Sequence, residues 1–296
     1  MSVMEGGPND PAPQRMTRRL ARVAELMHTV NYYTEEINRF RDDGFRGWWH
    51  AYMAYRSAPL GPVDAPVVTA AFYNFAPRMI ERAVPGVWEI MAPDQVLVRR
   101  TELVAEALDR IYGDGRFDQQ LAEAAELTAV AIEDLEVGAR PLTAALSALA
   151  RPEDTALALW QDCTVLREYR GDGHNIALAT AGIDGLESHL FMSAAGHGNQ
   201  PTITGIRGWT EDEWQAAKAR LQGRGLLDAE GGFTAEGDRF RAEIEVTTDR
   251  LSSQPLENLG MERAERLFTL LVELTDYLRE TGEVAGMWPP PATLRS

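Results

Sequence analysis

The sequence predicts a mainly α protein of two helical domains. Apolar residues recur at helical spacing along most of the chain, and Pro and Gly clusters separate the periodic stretches. A third observation lies at residues 219–251, ARLQGRGLLDAEGGFTAEGDRFRAEIEVTTDRL, where one helix closes on Arg-Gly-Leu-Leu and Phe233-Thr234 opens the next after a tiny turn. That arrangement predicts a winged helix-turn-helix with a very short wing as the second domain. The expected divisions are a disordered tail at 1–16, an N-terminal helical domain at 17–150, the winged-helix domain with terminal helices at 151–286, and a Pro-rich tail at 287–296.

In chain order, TRRLARVAELMHTVNYYTEEINRF carries Leu20, Val23, Met27, Val30, Ile37 and Phe40 at mostly helical spacing and predicts a helix from Thr17 to about Phe40. A turn at DDGF precedes a short helix, RGWWHAYMAYR, and SAPLGPVDAP is a rigid connector. The stretch from Val67 to Met91 reads as two short helices separated at Pro77 and Pro85. Helices then follow from Pro93 to Ile111, from Asp118 to Val137 and from Pro141 to Ala150.

The second half opens with a helix through Arg167, which RGDGHN should break, because Gly171 and Gly173 are poor helix formers. IALATAGI and DGLESHLFMSAA are helical, and GHGNQPTITGIRG is a Gly-rich linker. In WTEDEWQAAKARLQGRGLL, Thr210 is the expected N-cap, with Glu213 three residues on completing a capping box. A long helical run ends the chain. The two halves match one winged-helix subunit each in length, which suggests an ancient duplication, although no residue match supports it.

Bulk properties narrow the function. The formal net charge is −16, and the only lysine is Lys218. Duplex DNA gains affinity mainly from cations that neutralise its phosphates, so DNA binding turns on the local charge of the reading surface. The apolar runs are too short to cross a bilayer, and the N-terminus lacks the pattern of a signal peptide. The expectation is a cytoplasmic protein with no membrane partner. Cys163 is the single cysteine, in helix-like surroundings, and is expected to be packed.

The segment at 219–251 resembles the winged-helix segment of MarR-type transcription regulators. Leu221, Arg224, Gly225 and Leu226 match the end of their recognition helix, and Phe233, Thr234 and Gly237 match the start of the next one. Stretches such as YRSAPLGPV, VVTAAFYNFAP, LREYRGDGHNIAL and RGWTEDEW resemble an uncharacterised actinobacterial helix-turn-helix-containing family over most of residues 17–280. That likeness implies a fold and no activity. The regulator likeness implies dimerisation through the first and last helices, as a homodimer or, if the N-terminal half replaces the partner, an internal pseudo-dimer.

The chain departs from the regulator pattern where DNA would sit. Only five residues separate Leu227 from Phe233; they include Asp228 and Glu230 and no Arg or Lys. The reading helix opens with Glu211, Asp212 and Glu213, in the positions expected to meet base edges. The same acids also favour a helix N-terminus, by roughly 0.3–1 kcal/mol each. DNA is therefore the disfavoured partner and a small organic ligand the favoured one. The principal reading is a small-ligand-binding protein of regulator ancestry with weak or lost DNA binding, with a role in specialised metabolism. The alternatives are a ligand-responsive regulator using Arg207, Arg220 and Arg224 on DNA, and a redox-cofactor-free cyclase, isomerase or lyase.

For chemistry, Arg170, Asp172 and His174 should project together from the constrained turn around Gly171 and Gly173. His174, in the first turn of a new helix, would be a neutral acid/base beside a carboxylate, with Arg170 and Arg167 clamping an anion. The competing structural reading has Asp172 capping a helix and His174 hydrogen-bonded and partly buried. His28 and Tyr32 lie one turn apart on one face, with Glu35 and Glu36 a turn further on. They can line a ligand cavity or form core with a polar handle. Trp49, Tyr73 and their aromatic neighbours, with Arg56, suit a pocket wall as well as a core. His189 and His197 with Glu187 match no common metal signature, so no metal is expected. No nucleotide-binding or hydrolase motif occurs, the cofactor is unknown, and a lone His28 or His174 does not identify a haem ligand.

Overall fold

A computed structural model describes residues 11–283; both expected tails lie wholly or largely outside that range. The described chain is mainly α. Helix α1 (Ala12–His28) starts five residues before Thr17, with a proline in its first turn, and buries Met16, Leu20, Val23 and Met27. It stops sooner than the apolar period suggests. The Thr29 hydroxyl donates to the Leu26 carbonyl (2.7 Å), and Thr34 is extended. Beyond α1 the chain makes a single turn, α2 (Val30–Tyr33), and a 3₁₀ segment at Glu36–Arg41.

Helix α3 (Gly47–Ser57) precedes a run of short helices, α4 (Ala65–Phe72), α5 (Pro77–Glu81) and α6 (Val87–Ile90). Pro77 and Pro85 both interrupt the chain, giving three pieces where the pattern suggested two. Helices α7 (Pro93–Tyr112), α8 (Asp118–Ala131) and α9 (Pro141–Ser147) complete the first half.

Helix α10 (Thr155–Thr180) is capped by Asp154, which accepts from the Leu157 amide at 2.9 Å. It runs unbroken through Gly171 and Gly173, contrary to the expected turn. A glycine costs a helix only about 1 kcal/mol relative to alanine. Gly173 lets neighbouring side chains come close to the helix: an added Cβ would sit 3.0 Å from Arg140 Nη1 and 3.2 Å from Ser252 Oγ.

Three helices come next: α11 (Gly185–Ala194), α12 (Gln200–Arg207) and α13 (Glu211–Gly223). Helix α12 occupies the stretch expected to be a linker. Asn199 caps it, Pro201 lies in its first turn, and Gly208 ends it at φ 77°. A Cβ on Gly208 would lie 2.6 Å from Met79 Cβ. After α13, Leu227 and Phe233 form an isolated antiparallel bridge, and no strand appears among the described residues. The terminal run is divided into α14 (Ala235–Leu251), α15 (Gln254–Leu259) and α16 (Met261–Glu280), with breaks at Ser252–Ser253 and at Gly260 (φ 71°).

Two cores result. The larger joins α1, α3, α7, α8, the start of α10, α15 and α16, so it draws on both ends of the chain. Its fully buried Met27, Leu159, Leu267 and Leu271 contribute roughly 1.5–3 kcal/mol each. The smaller core holds the end of α10, α11–α14 and the bridge, around Leu178, Leu190, Trp214 and Leu221. Helix α10 serves both, and α1 packs along α10 and α16. Cys163 is buried in the larger core.

Candidate functional site

A cavity of about 380 Å³ lies where the two cores meet. One face of α10 supplies Arg167, Arg170, His174 and Leu178, and α1 supplies Arg18, Arg22 and Glu25. These intervals of three and four residues place the side chains on common helical faces. Arg241, Ile244 and Glu245 come from α14, His189, Phe191 and Met192 from α11, and Arg207 from the end of α12. Arg56, Phe72 and Asn74 close the wall from the first half.

In a strongly acidic chain this wall is cationic: seven arginines against three glutamates. Glu168, buried in the wall, holds Arg167 in an ion pair and stands 3.5 Å from Arg56 Nε. Burial pushes its carboxyl upward, but the two guanidinium charges outweigh that and keep it below the usual range. Buried Asp249, behind the wall, accepts from Arg18 Nη2 at 2.5 Å and from Arg170 Nη1 at 2.9 Å, pinning α14 to α1 and α10. Arg207 rests over the Phe75 ring at 4.1 Å, and burial draws its pKa down to about 10.

The cavity histidines are neutral. The Thr248 hydroxyl donates to the Ile244 carbonyl (2.9 Å), so its oxygen accepts from His174 Nδ1–H (3.0 Å), and His174 Nε2 remains an acceptor. Burial lowers the His174 pKa. His189 Nε2–H donates to the Asn74 carbonyl (3.0 Å), and burial brings its pKa to about 3. Glu187, which the sequence grouped with His189 and His197, accepts from Arg220 Nε at 2.9 Å.

Of the residues marked out in the sequence, Arg56, Arg167, Arg170 and His174 line this cavity. Asp172 does not join them. Two residues along an unbroken helix is a rotation of about 200°, which sends its carboxylate to the opposite face. There it accepts from the Thr143 amide (2.9 Å) and hydroxyl (2.8 Å), capping α9, and burial raises its pKa to about 6. The expected His174–Asp172 pairing is therefore corrected: the histidine is oriented by Thr248.

His28 and Tyr32 sit in the larger core with their polar atoms bonded to one another. Thr164 Oγ donates to the Trp160 carbonyl and accepts from His28 Nδ1–H (2.9 Å), which leaves Nε2 to accept from the Tyr32 hydroxyl (2.8 Å). Both ring nitrogens of His28 are thus engaged. Trp49 donates to the Met79 carbonyl (3.0 Å) and packs on Phe75, and the Tyr73 hydroxyl donates to the Ile183 carbonyl. Sequence reasoning missed Arg18, Arg22 and Arg241 here; it had weighed Arg207 for DNA and His189 and His197 for a metal, and the structure places all three in this wall. The signal available was arginine repeated at helical spacing on α1, and the Asn-x-Pro start and glycine end of α12.

A model of a helix-turn-helix family matches residues 17–285. The chain belongs to this helix-turn-helix family. No curated protein and no solved structure matches it.

In a helix-turn-helix protein the second helix of the motif meets the bases, and α13 is the helix expected in that position from the sequence resemblance. Its exposed residues include Glu211, Asp212, Gln215, Ala216 and Ala219. Arg220 is also exposed but bonds Asp184 (2.6 Å) and Glu187. Thr210 and Glu213 form the expected capping box, and Arg78 of α5 binds the Glu213 carboxylate. Asp228 accepts from the amides of Gly231 and Gly232, both at 2.8 Å, so the acidic tip folds around its own carboxylate. Arg224 donates to the Gly182 carbonyl (2.8 Å) beyond the end of α10.

Proposed function

We propose that this helix-turn-helix protein binds a small organic ligand in the cavity between α1, α10 and α14, and that it descends from winged-helix regulators with weak or lost DNA binding. One observation carries the reading: seven arginines gather in the cavity wall, while Arg220 and Arg224 beside the outer face of α13 are tied to the protein's own groups. Arg207 is in the cavity wall, Arg220 is ion-paired, and Arg224 bonds backbone carbonyls. A surface offering Glu211, Asp212 and Gln215 to a phosphate backbone forgoes the counterion release that drives DNA affinity. The intrachain pairing of α1 with α16 supports an internal pseudo-dimer.

The test has two arms. Native mass spectrometry of protein purified from its own cells is expected to show a bound small molecule that is lost in a cavity-filling Ala21→Trp variant. Duplex fragments titrated between roughly 50 and 200 mM salt should bind weakly and with a shallow salt slope. Tight, sequence-selective, salt-steep DNA binding by an empty protein overturns the reading. Light scattering at the mass of two chains would remove the pseudo-dimer.

A further inference from the structure

We infer that the ligand is an organic oxyanion, a carboxylate or phosphate attached to an apolar body, with its charge seated among Arg56, Arg167 and Arg207. This rests on the ligand-binding reading above. At this end of the cavity three guanidinium groups meet two carboxylates: Glu168, which pairs with Arg167 and stands 3.5 Å from Arg56, and Glu25, 3.9 Å from Arg167 Nε. Arg56 and Arg207 share the Tyr52 hydroxyl, and both Arg56 and Arg167 are close enough to repel Arg207. Gathering like charges out of water is costly unless an anion completes the set.

The planar fork of a guanidinium matches a carboxylate or phosphate in two hydrogen bonds, which a halide cannot reproduce. The remaining wall calls for more than the anionic group. Phe72, Leu178, Phe191, Met192 and Ile244 supply apolar surface, and about 380 Å³ lies within the range that holds organic ligands. His174 Nε2 adds an acceptor for a hydroxyl or N–H on that body. A nucleic acid would find no comparable excess of cations on α13.

The probes are anilinonaphthalene sulfonate and uncharged phenylnaphthylamine, which share a ring system and differ in the anionic group. Fluorescence titration of the full chain should give roughly tenfold tighter binding of the anionic probe. Arg207→Met should abolish that preference. Glu168→Gln, which removes the competing carboxylate, should tighten the anionic probe about threefold or more, whereas loss of a purely structural ion pair would weaken it. Benzoate or phenyl phosphate should displace the anionic probe, and the stronger competitor names the oxyanion.

Equal affinity for the two probes, weakening by Glu168→Gln, or displacement by neither acid overturns the inference. Equal binding of both probes leaves the ligand-binding reading standing with an uncharged ligand. Binding of neither probe, together with tight DNA binding, removes both.

Discussion

The wall of the cavity and the outer face of α13 are two faces of one helical region, and their charges are satisfied in different ways. On α13 each engaged carboxylate has a local task. Glu213 closes a capping box and binds Arg78, Glu211 accepts from Gln215 (2.7 Å), and at the neighbouring tip Asp228 folds the turn. In the cavity the arginines exceed the carboxylates that face them. Net charge alone would have pointed away from anions altogether. Its distribution separates an acidic outer face from a cavity wall in which arginines outnumber glutamates.

The largest expected effect breaks the cavity side of this contrast. Asp249 is buried between Arg18 and Arg170 and ties three helices together. Asp249→Asn leaves two poorly solvated guanidinium groups without their shared anion. Removing one partner of a buried ion pair costs about 3 kcal/mol. Urea unfolding should show that loss as a lower midpoint with an unchanged slope. A loss below about 1 kcal/mol would mean that this wall is solvated like the α13 surface, and the contrast would fail.

That network was illegible in the sequence because its members are far apart along the chain, Arg18 against Asp249 and Arg56 against Glu168. Legibility followed the range of the interaction. The Thr210–Glu213 box and the tiny turn before Phe233-Thr234 depend on neighbours and could be read directly. Gly171 and Gly173 were misleading because local propensity, about 1 kcal/mol per glycine, is small beside the packing of a long helix, and Gly173 lies close against Arg140 and Ser252. With the helix intact, Arg170 and His174 kept a place at the cavity while Asp172 turned to α9. His28 and Tyr32 fall on either side of the break between α1 and α2 and still bond to each other, and a sequence does not reveal that Thr164 lies opposite to complete their hydrogen bonds.

An intermediate effect probes the other face. Replacing Glu211, Asp212 and Gln215 by arginine together installs cations on exposed positions of α13 without touching the Glu213–Arg78 pair. Nonspecific duplex affinity near 50 mM salt should rise about tenfold or more, and the salt slope should steepen by about two to three. Fluorescence anisotropy reads both quantities. If the parent protein already shows that slope, cations from elsewhere reach the DNA, and α13 is not the deciding surface.

The smallest effect sharpens the comparison through the sign of a pH dependence. Arg78 holds the Glu213 carboxyl down at about 2, from an ordinary 4.5. A depressed folded-state pKa stabilises the protein above the unfolded value and loses that contribution as pH falls through it. The stability of the parent minus that of Glu213→Gln should therefore be constant above about pH 4.5 and shrink toward pH 2. Because the glutamate side chain is 37% exposed, solvent screening limits the amplitude to under about 1 kcal/mol. Asp172 provides the opposite slope. Burial raises it to about 6 from 3.8, so its protonated form suits the fold, and stability relative to Asp172→Asn should decline as pH rises from about 4 to 6. Urea midpoints across this range separate the two cases, since a cation beside a carboxylate and a dry helix joint around one tilt the curve in opposite directions. Matching slopes would mean that Arg78 does not bind Glu213 in solution, freeing both charges at the start of α13 for some other partner.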